Sequence, residues 1–180
     1  MKLVLPLCTL RDWRDSDAEA LARHANDRDV WLNLRDAFPH PYRLEDAHRF
    51  LAMVAKQDPI TFFAIEVDGE AAGGIGLMLH TDVERLTAEL GYWLARPHWG
   101  RGIMTAAVRA FALDRMREHG LVRLVALPYA RNAASCRVLE KAGFVLEARM
   151  RQAVIKDGVV QDQMLYALVR SEPVGRARTC

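Results

Sequence analysis

Residues 97 to 105 read Pro97-His98-Trp99-Gly100-Arg101-Gly102-Ile103-Met104-Thr105, placing two glycines and an arginine between a strand pattern and a helix pattern. Glycine lets the backbone approach a ligand closely, and the first-turn amides of a helix have no intrahelical partner. The helix dipole adds partial positive charge at the same place, so such a turn suits a phosphate or pyrophosphate. Arg101 can supply a full charge. A plain strand-to-helix turn that needs glycine only for its dihedrals uses the same residues, and the two readings stand side by side. The turn is not a Walker A loop, since G-x-x-x-x-G-K-[ST] is missing. Nor is it a dinucleotide fingerprint, which needs a third glycine and an early position in the chain.

The elements that would hold this turn follow from patterning. Residues 4–11 alternate like a strand, and Asp15, Ser16 and Asp17 offer cap oxygens to a helix with Ala18, Leu21, Ala22 and Ala25 on one face. Residues 31–42 hold two prolines and several aromatics without periodicity and read as a loop, before a helix over 45–56. Residues 61–67 and 70–80 read as an antiparallel pair across Asp68-Gly69, and 87–94 as a third strand. A helix over 102–119, a strand over 122–127, a helix over 133–142 and a hairpin across Asp157-Gly158 complete the order. The unit 87–127 is expected to bring its two strands together in parallel. The fold class expected is α/β (α+β), with a mixed central sheet and flanking helices.

Composition sets the bounds. A chain of 180 residues, 51% hydrophobic and 27% charged, predicts one packed domain over 1–172, with 173–180, including Arg176 and Arg178, as a frayed tail. The 25 basic and 23 acidic residues are spread along the chain for a net charge of +2, which gives no bulk drive toward nucleic acid or an anionic membrane. No apolar run reaches the ~18 residues of a membrane span. Leu5-Pro6-Leu7-Cys8 resembles a lipoprotein box, but Arg11, Asp12 and Arg14 follow at once, so a cytoplasmic chain is expected. Cys8, Cys136 and Cys180 are odd in number and far apart, which predicts neither a disulfide framework nor a metal site.

Three segments together resemble a known family. Ala88-Glu89-Leu90-Gly91-Tyr92-Trp93-Leu94, the P-x-W-G-x-G turn, and Asn132-Ala133-Ala134-Ser135 with Leu139-Glu140-Lys141-Ala142-Gly143-Phe144 resemble the GNAT N-acetyltransferases, in particular their RimJ/RimL branch of ribosomal-protein N-terminal acetyltransferases. The likeness covers nearly the whole chain. It implies the GNAT fold, a mostly antiparallel sheet with one splayed parallel strand pair, and an acetyl-CoA site. The pyrophosphate would lie on the amides of Gly100, Arg101, Gly102, Ile103, Met104 and Thr105, and the pantetheine arm along Tyr92, Trp93 and Leu94. Asn132 would bond the arm, and is also an ideal helix cap. The sequence departs from the wider pattern at Trp99 and at Met104, where a small residue is usual.

Acetyl transfer to an amine needs a base, an oxyanion donor and an acid for the thiolate. Glu89, on the strand that would carry the thioester, is the candidate base, directly or through water, against the plain alternatives that it pairs with an arginine or faces solvent. His80 and His98 are further titrating groups. The wider family's acid tyrosine falls at Leu139, so Ser135 takes that role by the branch resemblance, with Tyr129 as the other donor. A backbone N–H near Leu94 would meet the oxyanion. Arg137 and Lys141 could reach a CoA phosphate or form a solvated helix face. Trp13, Trp31, Phe38, Pro39, His40, Pro41 and Tyr42 could line the acceptor mouth, with core anchoring the equal alternative for the tryptophans. The activity implied is direct transfer in a ternary complex, to a protein N-terminus or a small-molecule amine. A non-enzymatic acyl-CoA-binding module is the alternative, and the sheet edges leave a homodimer open.

Overall fold

In the computed structural model, which describes residues 1–170, the chain begins β1 (Lys2–Val4), β2 (Thr9–Arg11), α1 (Ala18–Ala25), α2 (Arg28–Trp31) and α3 (Leu44–Val54). It continues β3 (Phe62–Val67), β4 (Glu70–Leu79), β5 (Thr87–Leu94), α4 (Ile103–Glu118), β6 (Arg123–Ala126), α5 (Ala133–Ala142), β7 (Val145–Lys156) and β8 (Val159–Val169). The tail expected at 173–180 lies outside the described residues. The eight strands form one sheet in the order β1-β2-β3-β4-β5-β6-β8-β7. Every pairing is antiparallel except β5 with β6.

One expected strand is two. Residues 4–11 split into the β1–β2 hairpin because Pro6 has no N–H to donate, and the chain turns there with Leu5 N–H donating to Cys8 O at 2.9 Å. The short helix α2 was not expected either. Asp27 caps it, its side chain accepting from the amides of Asp29 and Val30.

Strand alternation sends side chains to two helical layers. On one face Ile75, Leu77, Leu90 and Leu94 meet α4 and α5 through Val108, Phe111, Ala112 and Leu139, all buried. Phe63 and Phe111 close this core edge to face at 5.7 Å, and each fully buried ring of this kind contributes roughly 1.5 to 3 kcal/mol. On the other face α1 and α3 pack through Leu21, Ala25, Ala47 and Leu51, with Trp13, Phe38, Phe50 and Trp93 at the margin. α5 stops as its sequence predicts: Gly143 is left-handed at φ 100°, and Phe144 N–H donates to Leu139 O at 3.0 Å, the Schellman pattern.

β4 carries glycines because its neighbour strands leave no room. A Cβ on Gly73 would lie 2.5 Å from the backbone O of Trp93, whereas one on Gly91 would meet nothing within 4 Å. Gly73→Ala therefore forces β4 and β5 apart and is expected to lower unfolding free energy by about 1 to 3 kcal/mol in urea denaturation. Gly91→Ala is expected to hold or slightly raise it; equal midpoints for the two variants would contradict this packing.

Candidate functional site

The parallel ladder between β5 and β6 pairs only Thr87, Ala88 and Glu89 with Arg123, Leu124 and Val125. Beyond it β6 stays with β8, through Ala126 opposite Tyr166, while β5 stays with β4 as far as Leu94 opposite Gly73. The two strands diverge and open a gap through the sheet. Ala95 N–H donates to Ala72 O at 2.8 Å, so the alternation of an antiparallel ladder turns the N–H and C=O of Tyr92 and Leu94 away from β4 and into that gap. The Leu94 carbonyl accepts from Trp99 Nε1 at 2.7 Å, which ties the strand end to the turn that follows.

In that turn Gly100 and Gly102 both lie in the left-handed region, at φ 72° and 78°. Gly102 is the N-cap residue of α4 and offers no side chain, so the amides of Ile103, Met104 and Thr105 receive no side-chain cap. α5 differs: Asn132 Oδ1 accepts from Ser135 N–H at 3.0 Å and closes that helix end on itself. The uncapped helix is the one suited to an anion. Met104 turns its side chain into the core and leaves the turn unobstructed. Arg101 is exposed, with Nη1 3.1 Å from His98 Nδ1, and burial together with Arg101 holds the His98 imidazole below its ordinary pKa.

The strand period places the other candidates on two faces of β5. Tyr92 points toward α5, where its hydroxyl lies 2.7 Å from Ser135 Oγ, a pairing the sequence pattern does not disclose. Burial raises the Tyr92 pKa, and the Ser135 hydrogen bond works against that shift. Glu89 and Trp93 point to the α1/α3 face. The Glu89 carboxylate is 16% exposed and forms an ion pair with Arg35, so its expected alternative as an arginine partner is what the side chains adopt. Tyr129 donates to Leu34 O at 3.1 Å, and Leu139 fills its place as a wholly buried core residue.

Apart from Arg101, which does not line it, these groups share one cavity of about 1030 Å³. Glu89, Tyr92, Trp93, Leu94, Gly100, Gly102, Ile103, Met104, Thr105, Asn132 and Ser135 all line it, as do His98, Tyr129, Arg137 and Lys141. Of the predicted acceptor mouth, Trp13, Phe38, Pro39 and Tyr42 line the cavity, while Trp31, His40 and Pro41 do not. Trp31 stacks on His40 and receives the Lys156 ammonium 3.7 Å from its ring centroid, a long-range contact that no local pattern discloses. His80 sits away from the cavity, within 3.4 Å of Glu84. Among the described residues no cluster of His, Cys, Asp or Glu could hold a metal ion, and no helix is long and apolar enough to cross a membrane.

Comparison with known proteins adds to this geometry. A family model described as an acetyltransferase (GNAT) domain matches residues 8–145. The ribosomal-protein-serine acetyltransferase of Escherichia coli (strain K12) is 34% identical over 97 residues, 53% of this chain and 54% of that protein. YjcK of Bacillus subtilis (strain 168), which bears an N-acetyltransferase name, is 42% identical over 86 residues, 48% of each chain. The chain thus spans about half the length of these curated relatives. The structure of Mycobacterium smegmatis RimJ in complex with CoA-disulfide superposes with a TM-score of 0.80 at 27% identity, covering 94% of this chain and 86% of that one.

All four tyrosines, Tyr42, Tyr92, Tyr129 and Tyr166, have pKa values raised by burial above the ordinary 10. A phenol whose folded pKa exceeds its unfolded value contributes stability that is complete below about pH 10 and is lost as pH rises beyond it. The tyrosinate band of the folded protein is expected to rise at higher pH than that of the urea-unfolded chain. A tyrosine ionising near pH 10 in the folded state would contradict the buried Tyr92–Ser135 contact or one of its counterparts.

Proposed function

The chain belongs to the GNAT acetyltransferase family, and on that premise we propose that it is a cytoplasmic N-acetyltransferase, folded as one catalytic domain over 1–172, that moves acetyl from acetyl-CoA to a primary amine. The observation that carries this reading is the uncapped, doubly left-handed glycine turn at the end of a strand whose amides face an open gap. Pyrophosphate on the amides of Gly100 to Thr105, with Arg101 beside it, would direct the pantetheine arm along Tyr92, Trp93 and Leu94 and past Asn132. The thioester would then sit in the gap. That the similar RimJ fold was captured as a complex with CoA-disulfide supports a coenzyme A site on this scaffold.

The transfer divides between the two faces of β5. From the α1/α3 face the amine enters beside Glu89, which takes its ammonium proton directly or through water. The free amine attacks the thioester carbon, and the oxygen, now an anion, accepts from the Leu94 N–H facing the gap. As the C–S bond breaks, the nitrogen loses its second proton to water and Ser135 donates to the departing sulfur from the α5 face, regaining a proton from water through the Tyr92 hydroxyl 2.7 Å behind it. No cysteine is among the described residues that line the cavity, which fits direct transfer in a ternary complex without an acyl-enzyme. The name of the ribosomal-protein-serine acetyltransferase favours a protein acceptor and the branch resemblance its N-terminal amine, with small amines on the same scaffold. A CoA-binding module without transfer is the competing reading, and the Glu89–Arg35 ion pair and Leu139 in place of a tyrosine favour it.

Glu89→Gln and Ser135→Ala are expected each to lower kcat by roughly 10²- to 10⁴-fold while acetyl-CoA binding, measured by calorimetry, stays the same. Acetylation at the wild-type rate in both would remove these residues from the mechanism. Gly102→Val, which forces a branched side chain into left-handed backbone, is expected to weaken acetyl-CoA binding more than about tenfold. Unchanged affinity there would sink the pyrophosphate turn.

A further inference from the structure

The acceptor half of the cavity is built from aromatic rings. Trp13 and Trp93 meet over the bare Cα of Gly74: a Cβ there would lie 2.8 Å from Trp93 Nε1 and 3.3 Å from Trp13 Cζ2. Phe38 sets its ring against Trp93 at 5.8 Å and 62°, and Phe50 meets Trp13 edge to face at 5.3 Å and 89°. Phe62 extends the wall from Phe50, its ring over Gly76. All five rings line the cavity. Inside this wall one polar group is unsatisfied. Trp13 Nε1 is buried without a hydrogen-bond partner, and a buried N–H without an acceptor is rare enough to call for one.

We propose that this cage binds the side chain of the acceptor, and that the acceptor is an α-amine bearing an aromatic or large apolar side chain, whose own carbonyl accepts from Trp13 Nε1. The proposal rests on the acetyl-transfer reading above and names the substrate class of that site. Trp93 directly precedes Leu94, the residue whose N–H faces the thioester gap, so a ring held in the cage belongs to the carbon that carries the amine. An aromatic surround favours flat apolar groups in edge-to-face contact over uncharged polar ones, and a cation in it would be held at a ring face. The rim discriminates further. Arg35 and Arg49 occupy the carboxylates of Glu89 and Asp46 in ion pairs, so those two carboxylates are already engaged when a second ammonium, as in a polyamine, reaches the rim.

The test compares phenylalaninamide, phenethylamine, alaninamide and spermidine as acceptors with the intact protein, reading free CoA thiol against time. Phenylalaninamide is expected to exceed alaninamide in kcat/KM by roughly 10- to 200-fold, the range an apolar pocket achieves. Trp13→Phe keeps a ring and removes the N–H, and is expected to erase the advantage of phenylalaninamide over phenethylamine, which has no carbonyl. Phe38→Ala, which removes a ring of the cage away from the coenzyme strand, is expected to bring phenylalaninamide down toward alaninamide, with acetyl-CoA affinity unchanged. Equal turnover of phenylalaninamide and alaninamide, or preference for spermidine, overturns the cage. Calorimetry of the same amines on the CoA-loaded protein separates the two readings. Selective binding of phenylalaninamide without thiol release keeps the cage and overturns acetyl transfer, and equal binding of all four overturns the cage alone.

Discussion

The separation of two parallel strands after a ladder of three residue pairs is the constraint on which the remaining architecture depends. A sheet that stayed zipped would leave no passage between its faces and would consume the amides of Tyr92 and Leu94 in hydrogen bonds. What keeps β6 away is its other neighbour. Arg123 to Ala126 pair along β8, Gln163 Nε2 donates to Leu127 O at 2.9 Å, and Tyr129 bridges back to Gln163. Trp99 holds the far side of the gap by its bond to the Leu94 carbonyl. The opening is thus set by side chains and strands on both rims rather than by missing residues.

Around this gap the cavity wall on the α1/α3 side is secured by contacts that cross the chain. The segment after α2 is bound to the C-terminal half through Lys156, whose buried ammonium pairs with Asp36 at 2.7 Å and rests on the Trp31 ring. Arg131 and Tyr129 donate to the carbonyls of Leu32 and Leu34, and Arg28 pairs with Asp157. A lysine without solvent contact is costly unless paired, and here a carboxylate and an aromatic face supply that pairing. The wall carrying Arg35 and Phe38 therefore moves, if at all, with the β7–β8 hairpin.

Much of the framework was legible. β5 and α5 begin and end where pattern and capping place them, since Asn132 and Gly143 are local signals whose geometry needs no distant partner. The glycine turn was legible for the same reason: left-handed φ and an uncapped helix start are properties of a few consecutive residues. The β1–β2 hairpin was missed because the alternation on both sides of Pro6 reads as one continuous strand. The true partner of Glu89 was open until the fold placed Arg35 beside it, 54 residues away in sequence.

By itself the sequence determined β5, the parallel unit, the glycine turn, α5 and the family likeness, because each rests on short-range periodicity, capping and backbone preference. Only the tertiary structure decided which side chains meet: Ser135 with Tyr92, Lys156 with Trp31, and Trp13 with Trp93 over Gly74. The physical reason is that such meetings depend on strand register and on the point where two strands part. Both are set by packing summed over the whole sheet, which no local window of sequence contains.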